Sequence, residues 1–561
     1  MLVLADDQGW GDLGLHGNAN IRTPNIDALA RAGARFDRFY VSPLCAPTRA
    51  SLLTGRYHLR TGVTGVTRGE ERMNLDEVTF AEVFQAAGYA TGAFGKWHNG
   101  SQYPYHPNGR GFEEFYGFCC GHWSNYFSPP LERNGEEVRG DGYIADDFTE
   151  HALDFIQASV ERKRPFVCYL AYNTPHSPFQ VPDEYYDRVR RRGLSMLHDG
   201  PGQEKTEETI CALAMCENID DNVGRLLARL DRLGVAGDTI VLYMSDNGPA
   251  TWRWNGGMKG KKGSIDEGGV RSPFFVRWPG HISPDRSIGQ IAGHIDIMPT
   301  LLELCDLDPA QAPRRPKPFD GRSLKPLLLG ERVDWPERKI FSAQGKPTSV
   351  RTERYRADFQ GLYDMQADPG QRENLAAKQP ELHRELLAAM NGWRQEVEDR
   401  NPPKRPYPVG HERAALTWLS AQDCEFHGPG LRFSARPPNS SWLTNWTDAS
   451  AYPSWDVEVL TPGTYEVFLN YACAAEAVGT ELELLFEGRS VTAAVAEAFD
   501  PPLLPSPDRS QRVESYEKPF KRWKLGEIEL PQARGPMTLK VAKQTGSQAI
   551  ELRRIELRRI K

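Results

Sequence analysis

Several features are missing from this sequence, and each absence excludes a class of protein. No apolar run approaches the roughly 20 residues that a membrane-spanning helix needs. The apolar opening, Met1–Ala5, is too short for a signal peptide. A strand beginning almost at residue 1 suggests that the natural N-terminus has been trimmed, and a leader could have been removed with it. Paired cysteines are also missing. The nine cysteines show no CxxC spacing, and their odd number argues against a disulfide framework in so long a chain. Cys168 and Cys473 fall in apolar runs and read as buried thiols, while the adjacent Cys119 and Cys120 are badly placed to bridge each other. There is no basic excess either: 68 Lys and Arg stand against 75 Asp and Glu, a formal charge of −7. That balance speaks against a nucleic-acid partner. The nucleotide-binding loops fail too. Gly257–Ser264 lacks the P-loop spacing. Gly9–Gly14 matches a dinucleotide fingerprint, but Asp6 and Asp7 would repel a pyrophosphate and Trp10 would crowd its approach.

What is present is a long alternation of strand and helix patterns. With 561 residues, the chain exceeds one ordinary core and implies two to four folding units. Short apolar runs at Met1–Ala5, Tyr89–Phe94, Pro165–Ala171 and Thr239–Met244 read as buried parallel strands. Amphipathic stretches at Asn25–Gly33, Thr79–Ala87, Ala145–Glu161 and Glu207–Leu233 read as helices between them. This is an α/β domain, with the catalytic unit assigned to 1–338. A small α+β subdomain follows over 339–400, then a proline-rich linker over 401–410. Residues 411–561 carry alternating strands between Gly/Pro turns and read as a β-sandwich or jelly roll. Its Trp442, Trp446 and Trp455 suit either sugar stacking or core packing. Asn439 and Asn445 fall in glycosylation sequons.

The four strands deliver polar residues at their C-terminal ends: Asp6 and Asp7, Lys96 and His98, His176, and Asp246 with Asn247. Ligands bind at such ends in open parallel sheets. Taken singly, each is an ordinary loop residue; four with complementary chemistry make a site the better reading. Adjacent carboxylates repel unless a cation lies between them, and Asp246 and Asn247 add two hard oxygen donors. In Ser42–Arg56, Cys45 precedes a short helix that begins near Pro47 and stops at Gly55. A cysteine at a helix N-terminus, with Arg49 one turn on, suits an anionic ester. The aromatic and polar loop over 112–130 contains His122, Trp123, Asn125 and Tyr126, which could line a sugar-sized pocket. Arg253, within Trp252–Asn255, and Lys259 are further candidates for substrate contact. Ordinary loop packing is the competing reading for each.

Cys45-Ala46-Pro47-Thr48-Arg49 followed by Leu53-Thr54-Gly55-Arg56 resembles the signature of type I sulfatases in the alkaline phosphatase superfamily. Ala5–Asp12, Gly95–His98, Thr174–Pro178, Ser245–Gly248, Lys262-Gly263 and Glu267–Arg271 continue the match in the family's order, across residues 1 to about 400. The resemblance implies an alkaline-phosphatase-like sheet flanked by helices and a sulfuric ester hydrolase. It implies that Cys45 is converted, by a formylglycine-generating or anaerobic maturation enzyme, to formylglycine, whose hydrate is the nucleophile. It implies one calcium ion held by Asp6, Asp7, Asp246 and Asn247, together with the matured Cys45. Arg49 orients the hydrate, and Lys96 and Lys262 hold sulfate oxygens. His98 takes a proton from the hydrate, and His176, with Lys262, serves the leaving alcohol. The expected substrate is a sulfated carbohydrate. A phosphonate monoester or phosphodiester hydrolase on the same scaffold is the alternative enzyme, and a silent glycan-binding protein the non-enzyme alternative. The family relation also suggests a periplasmic or secreted protein; oligomeric state is left open.

Overall fold

The apolar run that opens the chain becomes strand β1, Leu2–Ala5, with all four residues buried. In the computed structural model, residues 1–398, 405–436 and 439–560 are described. The next strands of the same sheet are β2 (Ala34–Phe36), β3 (Ala90–Lys96), β4 (Glu114–Phe118), β5 (Pro130–Arg133) and β6 (Glu136–Arg139). They are followed by β7 (Phe166–Ala171), β8 (Val241–Ser245), β9 (Phe274–Arg277) and β10 (Arg286–Ile288). The ten strands lie in the order β10-β2-β9-β8-β1-β7-β3-β4-β5-β6. The block β8-β1-β7-β3-β4 is parallel throughout.

Residues alternate between faces along a strand. Val3 and Ala5 join a core with the helices α1 (Pro24–Arg31), Ile144–Glu161 and Thr206–Arg232. Leu2 and Leu4 join a second core with the helices Cys45–Thr54, Phe80–Ala86 and Ile297–Leu304. A sheet covered on both faces explains why its strands read as unbroken apolar runs. At β3, Gly95 has φ 104°, and a Cβ there would lie 2.0 Å from the Ala171 carbonyl oxygen. Only glycine lets β3 pass β7 at that point while still aiming Lys96 and His98 at the strand ends.

A four-stranded antiparallel meander over Ile340–Asp364 carries the helix Pro380–Glu398, packed through Val350, Ala357, Leu362, Leu386 and Met390. The expected linker over 401–410 is corrected in part. Residues 401–404 lie outside the described residues, but Tyr407–Val409 forms an edge strand parallel to Tyr452–Val459. Proline is tolerated there because an outer edge needs no N–H donor. Beyond it stand two six-stranded sheets around one apolar core. Trp446 and Trp455 are fully buried in that core, donating through Nε1 to the carbonyls of Ala451 and Ser420 at 2.9 and 2.8 Å. They cannot stack on a sugar. All nine cysteines are free thiols, as their scatter along the sequence suggested.

Candidate active site

The ends of β8, β1, β7 and β3 are adjacent, so their polar residues converge. The backbone N–H of Asp246 donates to the Ala5 carbonyl at 3.1 Å, and that of Asp6 donates to the Thr174 carbonyl at 3.1 Å. Asp7 has φ 65°, a turn that swings two successive carboxylates into one cluster. The helix Cys45–Thr54 starts at Cys45 and ends on Gly55, whose φ is 69°. No side chain caps its first turn, so its leading N–H groups are available to an anion. Ligand atoms of Asp6, Cys45 and Asp246 lie within 4.8 Å of one another, and all three residues are buried.

Three cations face three carboxylates. Lys96 Nζ donates to Asp6 Oδ2 at 2.6 Å. Lys262 Nζ lies 2.7 and 2.9 Å from the two oxygens of Asp7. Arg49 donates to Asp246 Oδ2 through Nε at 3.2 Å and Nη2 at 2.8 Å, and its Nη1 donates to the Lys96 carbonyl at 2.6 Å. Burial pushes Asp246 up to about 6, helped by the charge of Asp6 and opposed by Arg49. Burial also raises Asp6, with Lys96 opposing it. At Asp7 burial pushes the same way, but Lys262 and His176 outweigh it and hold the carboxyl low.

The donor set fits a hard divalent cation. Asp6 Oδ1 and Asn247 Oδ1 are buried and have no hydrogen-bond partner, while Asn247 Nδ2 is occupied by Asp7 Oδ1 at 2.8 Å. Buried oxygens are seldom left unpaired. Two of them beside crowded carboxylates form a gap that an oxygen-seeking ion fills. Because the three carboxylates are already matched by three cations, such an ion leaves net positive charge, which favours an anionic ester.

The two histidines are held neutral. Burial and Lys96 lower His98 to about 3; its Nε2 lies 2.8 Å from the Val66 carbonyl and its Nδ1 has no partner. With Nε2 carrying the proton, Nδ1 presents a lone pair. Burial and then Lys262 lower His176 to about 4, against the pull of Asp7. Its Nδ1 contacts the Ser177 carbonyl at 2.6 Å and its Nε2 lies 3.7 Å from Asp7 Oδ2. The proton beside it is carried by Lys262, which Asp7 keeps charged.

The candidate substrate contacts divide. The His122 ring stacks 5.9 Å from His176, and its Nε2 has no partner, so it stands at the site. Lys259 is a third exposed and lies 3.5 Å from Asp266. Two others, Tyr126 and Arg253, are corrected. Tyr126 is fully buried; its hydroxyl donates to the carbonyls of His176 and Ser177 at 2.9 and 3.0 Å and fixes that loop. Arg253 is consumed by Asp12, at 2.6 and 2.8 Å, and by the Asp7 carbonyl at 3.0 Å, so it braces the carboxylate turn. Trp123 stacks on Phe118 at 5.0 Å, and Asn125 closes a turn on the backbone of Phe127. An aromatic, polar loop shows the same composition whether it faces a ligand or packs inward.

Sequence reasoning missed a contribution from the C-terminal sandwich. Ser440 Oγ donates to the His122 carbonyl at 2.7 Å. A Cβ on Gly121 would sit 2.8 Å from both Asn439 Nδ2 and His98 Nε2, so Asn439 lies against the site and is itself buried. Ser177 Oγ donates to Glu514, Gln180 Nε2 to Ser506 at 2.8 Å, and Arg512 to the Ser124 carbonyl at 2.6 Å. These partners are hundreds of residues apart in sequence, and no local pattern marks them.

The parallel sheet with charged residues gathered at its strand ends is the scaffold of hydrolases in the alkaline phosphatase superfamily. Within it, the chain belongs to the sulfatase family: a family model described as Sulfatase matches residues 1–307. A second, described as N-sulphoglucosamine sulphohydrolase, C-terminal, matches residues 260–396. Arylsulfatase A of Homo sapiens is 33% identical over 466 residues, spanning 70% of this chain and 85% of that protein. N-acetylgalactosamine-6-sulfatase of Sus scrofa is 32% identical over 395 residues, spanning 64% and 71%. Among solved structures, Ps i-CgsB in complex with k-i-k-neocarrahexaose has a TM-score of 0.64 at 29% identity, covering 72% of this chain and 94% of that one. The protein is therefore a sulfuric ester hydrolase. The phosphonate monoester hydrolase of Agrobacterium radiobacter, with a TM-score of 0.53 at 21% identity, shares the fold. Neither family model reaches the β-sandwich. Among the described residues, no helix is long and apolar enough to cross a membrane.

Proposed function

We propose that the protein removes sulfate from a carbohydrate, using one calcium ion and a formylglycine made from Cys45 by a maturation enzyme. The observation that carries this reading is the pair of unpartnered oxygens, Asp6 Oδ1 and Asn247 Oδ1, in the cluster that also holds Cys45 and Asp246. Asp6, Asp7, Asp246, Asn247 and the matured residue 45 would hold the ion. When bound, calcium supplies a Lewis acid for developing negative charge on the ester.

The chain's own residues do the rest. Arg49, locked between Asp246 and the Lys96 carbonyl, is a fixed positive charge beside residue 45. Lys96 and Lys262 exchange their carboxylates for sulfate oxygens when the substrate enters. His98 accepts a proton at Nδ1, the nitrogen that the Val66 carbonyl leaves free. His176 relays a proton from Lys262 to the leaving alcohol; its neutral resting state makes Lys262 the source. Support for a carbohydrate comes from relatives: one is named for N-acetylgalactosamine sulfate and another is bound to a neocarrahexaose.

Mass spectrometry of the tryptic peptide carrying Cys45, with aryl sulfate turnover before and after chelation, tests the reading. Aldehyde in place of thiol and calcium-restored turnover are expected. Full turnover by a protein that remains wholly cysteine overturns it.

A further inference from the structure

One loop of the β-sandwich reaches across to the loops that carry His122 and His176. It lies between the strands Arg489–Ala494 and Lys521–Leu530. The Leu504 N–H donates to the Glu517 carbonyl at 2.8 Å, which draws together the ends of a strap over 504–517. The strap has no helix or strand of its own, so side chains must hold its shape. Arg512 does most of this. Its buried guanidinium donates to both oxygens of Asp508 and to Ser506 Oγ at 2.6 Å, and to the Ser515 carbonyl at 2.9 Å. A planar fork of donors suits that task.

Held in this way, the strap grips the catalytic domain beside the site. Arg512 also donates to the carbonyl of Ser124, two residues from His122, at 2.6 Å. Gln180 Nε2 donates to Ser506 Oγ and Asp508 Oδ1 at 2.8 and 3.0 Å, while Gln180 Oε1 accepts from the Tyr126 N–H at 2.7 Å. Glu514 accepts from Ser177 Oγ.

The Glu514 contact is the costly one. The residue is 5% exposed. Its carboxylate accepts from Ser177 Oγ and, at 3.3 Å, from the Val513 N–H; among the described residues no cation pairs with it. Taking a carboxylate out of water without a counter-charge is unfavourable. Docking alone does not call for one, since a neutral acceptor would serve Ser177 with less desolvation. What a carboxylate adds is a charge-assisted bond, roughly twice as strong as a neutral one.

Ser177 adjoins His176 and controls its ring. His176 Nδ1 lies 2.6 Å from the Ser177 carbonyl, so Nδ1 carries a proton and Nε2 is the nitrogen left open. The Tyr126 hydroxyl bridges the carbonyls of both residues. Nε2 faces the charged cluster, 3.7 Å from Asp7 Oδ2. Its direction follows from where the Ser177 carbonyl stands, and among the described residues the Ser177 hydroxyl is tied to the sandwich alone.

We propose that Glu514 is a positioning residue for protonation of the leaving alcohol: through Ser177 it fixes the carbonyl that holds His176 Nδ1, and so aims Nε2 at the departing oxygen. The proposal rests on the reading of His176 as the group that passes a proton from Lys262 to that oxygen. As the O–S bond breaks, its electron pair stays on the leaving oxygen, which takes the Nε2 proton; Lys262 Nζ is the source of that proton. Neither family model reaches Glu514, so the sandwich adds this control to the catalytic core.

The test measures kcat/KM in matured, full-length protein on aryl sulfates whose phenols run from acidic, para-nitrophenol, to weakly acidic, phenol itself. An acidic phenol departs without help, so faulty proton delivery falls on the weakly acidic ones. Glu514→Ala and Ser177→Ala should each lower kcat/KM on phenyl sulfate at least about tenfold, and lower it less on para-nitrophenyl sulfate. The double variant should lose no more than either single one, because both break the same bond. Glu514→Gln keeps an acceptor for Ser177 and should recover most of the loss. If Glu514→Ala fails to fold, Ser177→Ala breaks the bond from the catalytic side and gives the same reading. Equal losses across the series, no loss, or losses that multiply in the double variant overturn the proposal. His176→Ala should steepen the leaving-group dependence further. A wild-type dependence in His176→Ala overturns the role given to His176, and this proposal with it; steepening there but in neither Glu514→Ala nor Ser177→Ala overturns this proposal alone.

Discussion

Asp246 offers a perturbation whose two consequences can be separated. Its carboxylate is at once the partner of a fully buried guanidinium and a proposed calcium ligand. In Asp246→Ala, Arg49 keeps the Lys96 carbonyl at 2.6 Å but retains only Asp6, at 3.9 Å, as a counter-charge. Removing one partner of a buried ion pair costs about 3–5 kcal/mol. The lower end applies here, because Asp246 is itself crowded by Asp6 and raised to about 6. In chelator, the variant should therefore lose about 3 kcal/mol in the unfolding transition of the catalytic domain. In calcium at a hundred times its dissociation constant, the wild type gains about 2.7 kcal/mol more, and the variant gains nothing. The gap between the two proteins should thus nearly double on adding calcium. Asp246→Asn keeps an acceptor for Arg49, so its loss in chelator should be smaller, about 1–3 kcal/mol, with calcium binding still abolished. Urea unfolding with and without calcium, calorimetric calcium titration and aryl sulfate turnover read all three effects. Turnover should fall at least about 10³-fold in both variants. Calcium-dependent stabilisation of the alanine variant, or turnover close to wild type, would refute the assignment of Asp246.

Two further predictions address parts of the site and fold that substrate does not touch. Tyr126→Phe removes the hydroxyl that joins the carbonyls of His176 and Ser177, and should lower kcat while leaving KM for an aryl sulfate nearly unchanged; a change confined to KM would restore Tyr126 as a substrate contact. Burial lowers His58 to about 4, only partly offset by the Val63 carbonyl, so its contribution to stability is complete above about pH 6.5 and is lost as pH falls towards about 4. Stability should drop by about 1.4 kcal/mol per pH unit from this group in that window, and His58→Gln should make the slope shallower by that amount in urea unfolding between pH 4 and 7. An unchanged slope would show that His58 is protonated in the folded protein.

The strand ends were legible because physics writes them into local sequence. A strand buried on both faces must be an apolar run, so Asp6-Asp7 after Leu2–Ala5 and Asp246-Asn247 after Val241–Ser245 stand out at once. The helix from Cys45 was legible from its proline and its terminal glycine. Tyr126 and Arg253 were misread because composition does not reveal which way a loop faces: the tyrosine points inward to carbonyls, and the arginine closes on Asp12. The strand Tyr407–Val409 was hidden by the prolines that flank and interrupt it. The contacts of Glu514 with Ser177 and of Ser440 with His122 join positions 337 and 318 residues apart, and only the packing of the sandwich creates them.

The most direct measurement compares kcat/KM for an aryl sulfate, an aryl phosphate and an aryl phosphodiester with one shared leaving group, in calcium-loaded, matured protein and in Cys45→Ala. The predicted result is a clear preference for sulfate in the wild type, with no turnover of any of the three in the variant. Equal or faster turnover of the phosphodiester, or sulfatase activity surviving in Cys45→Ala, would contradict the account.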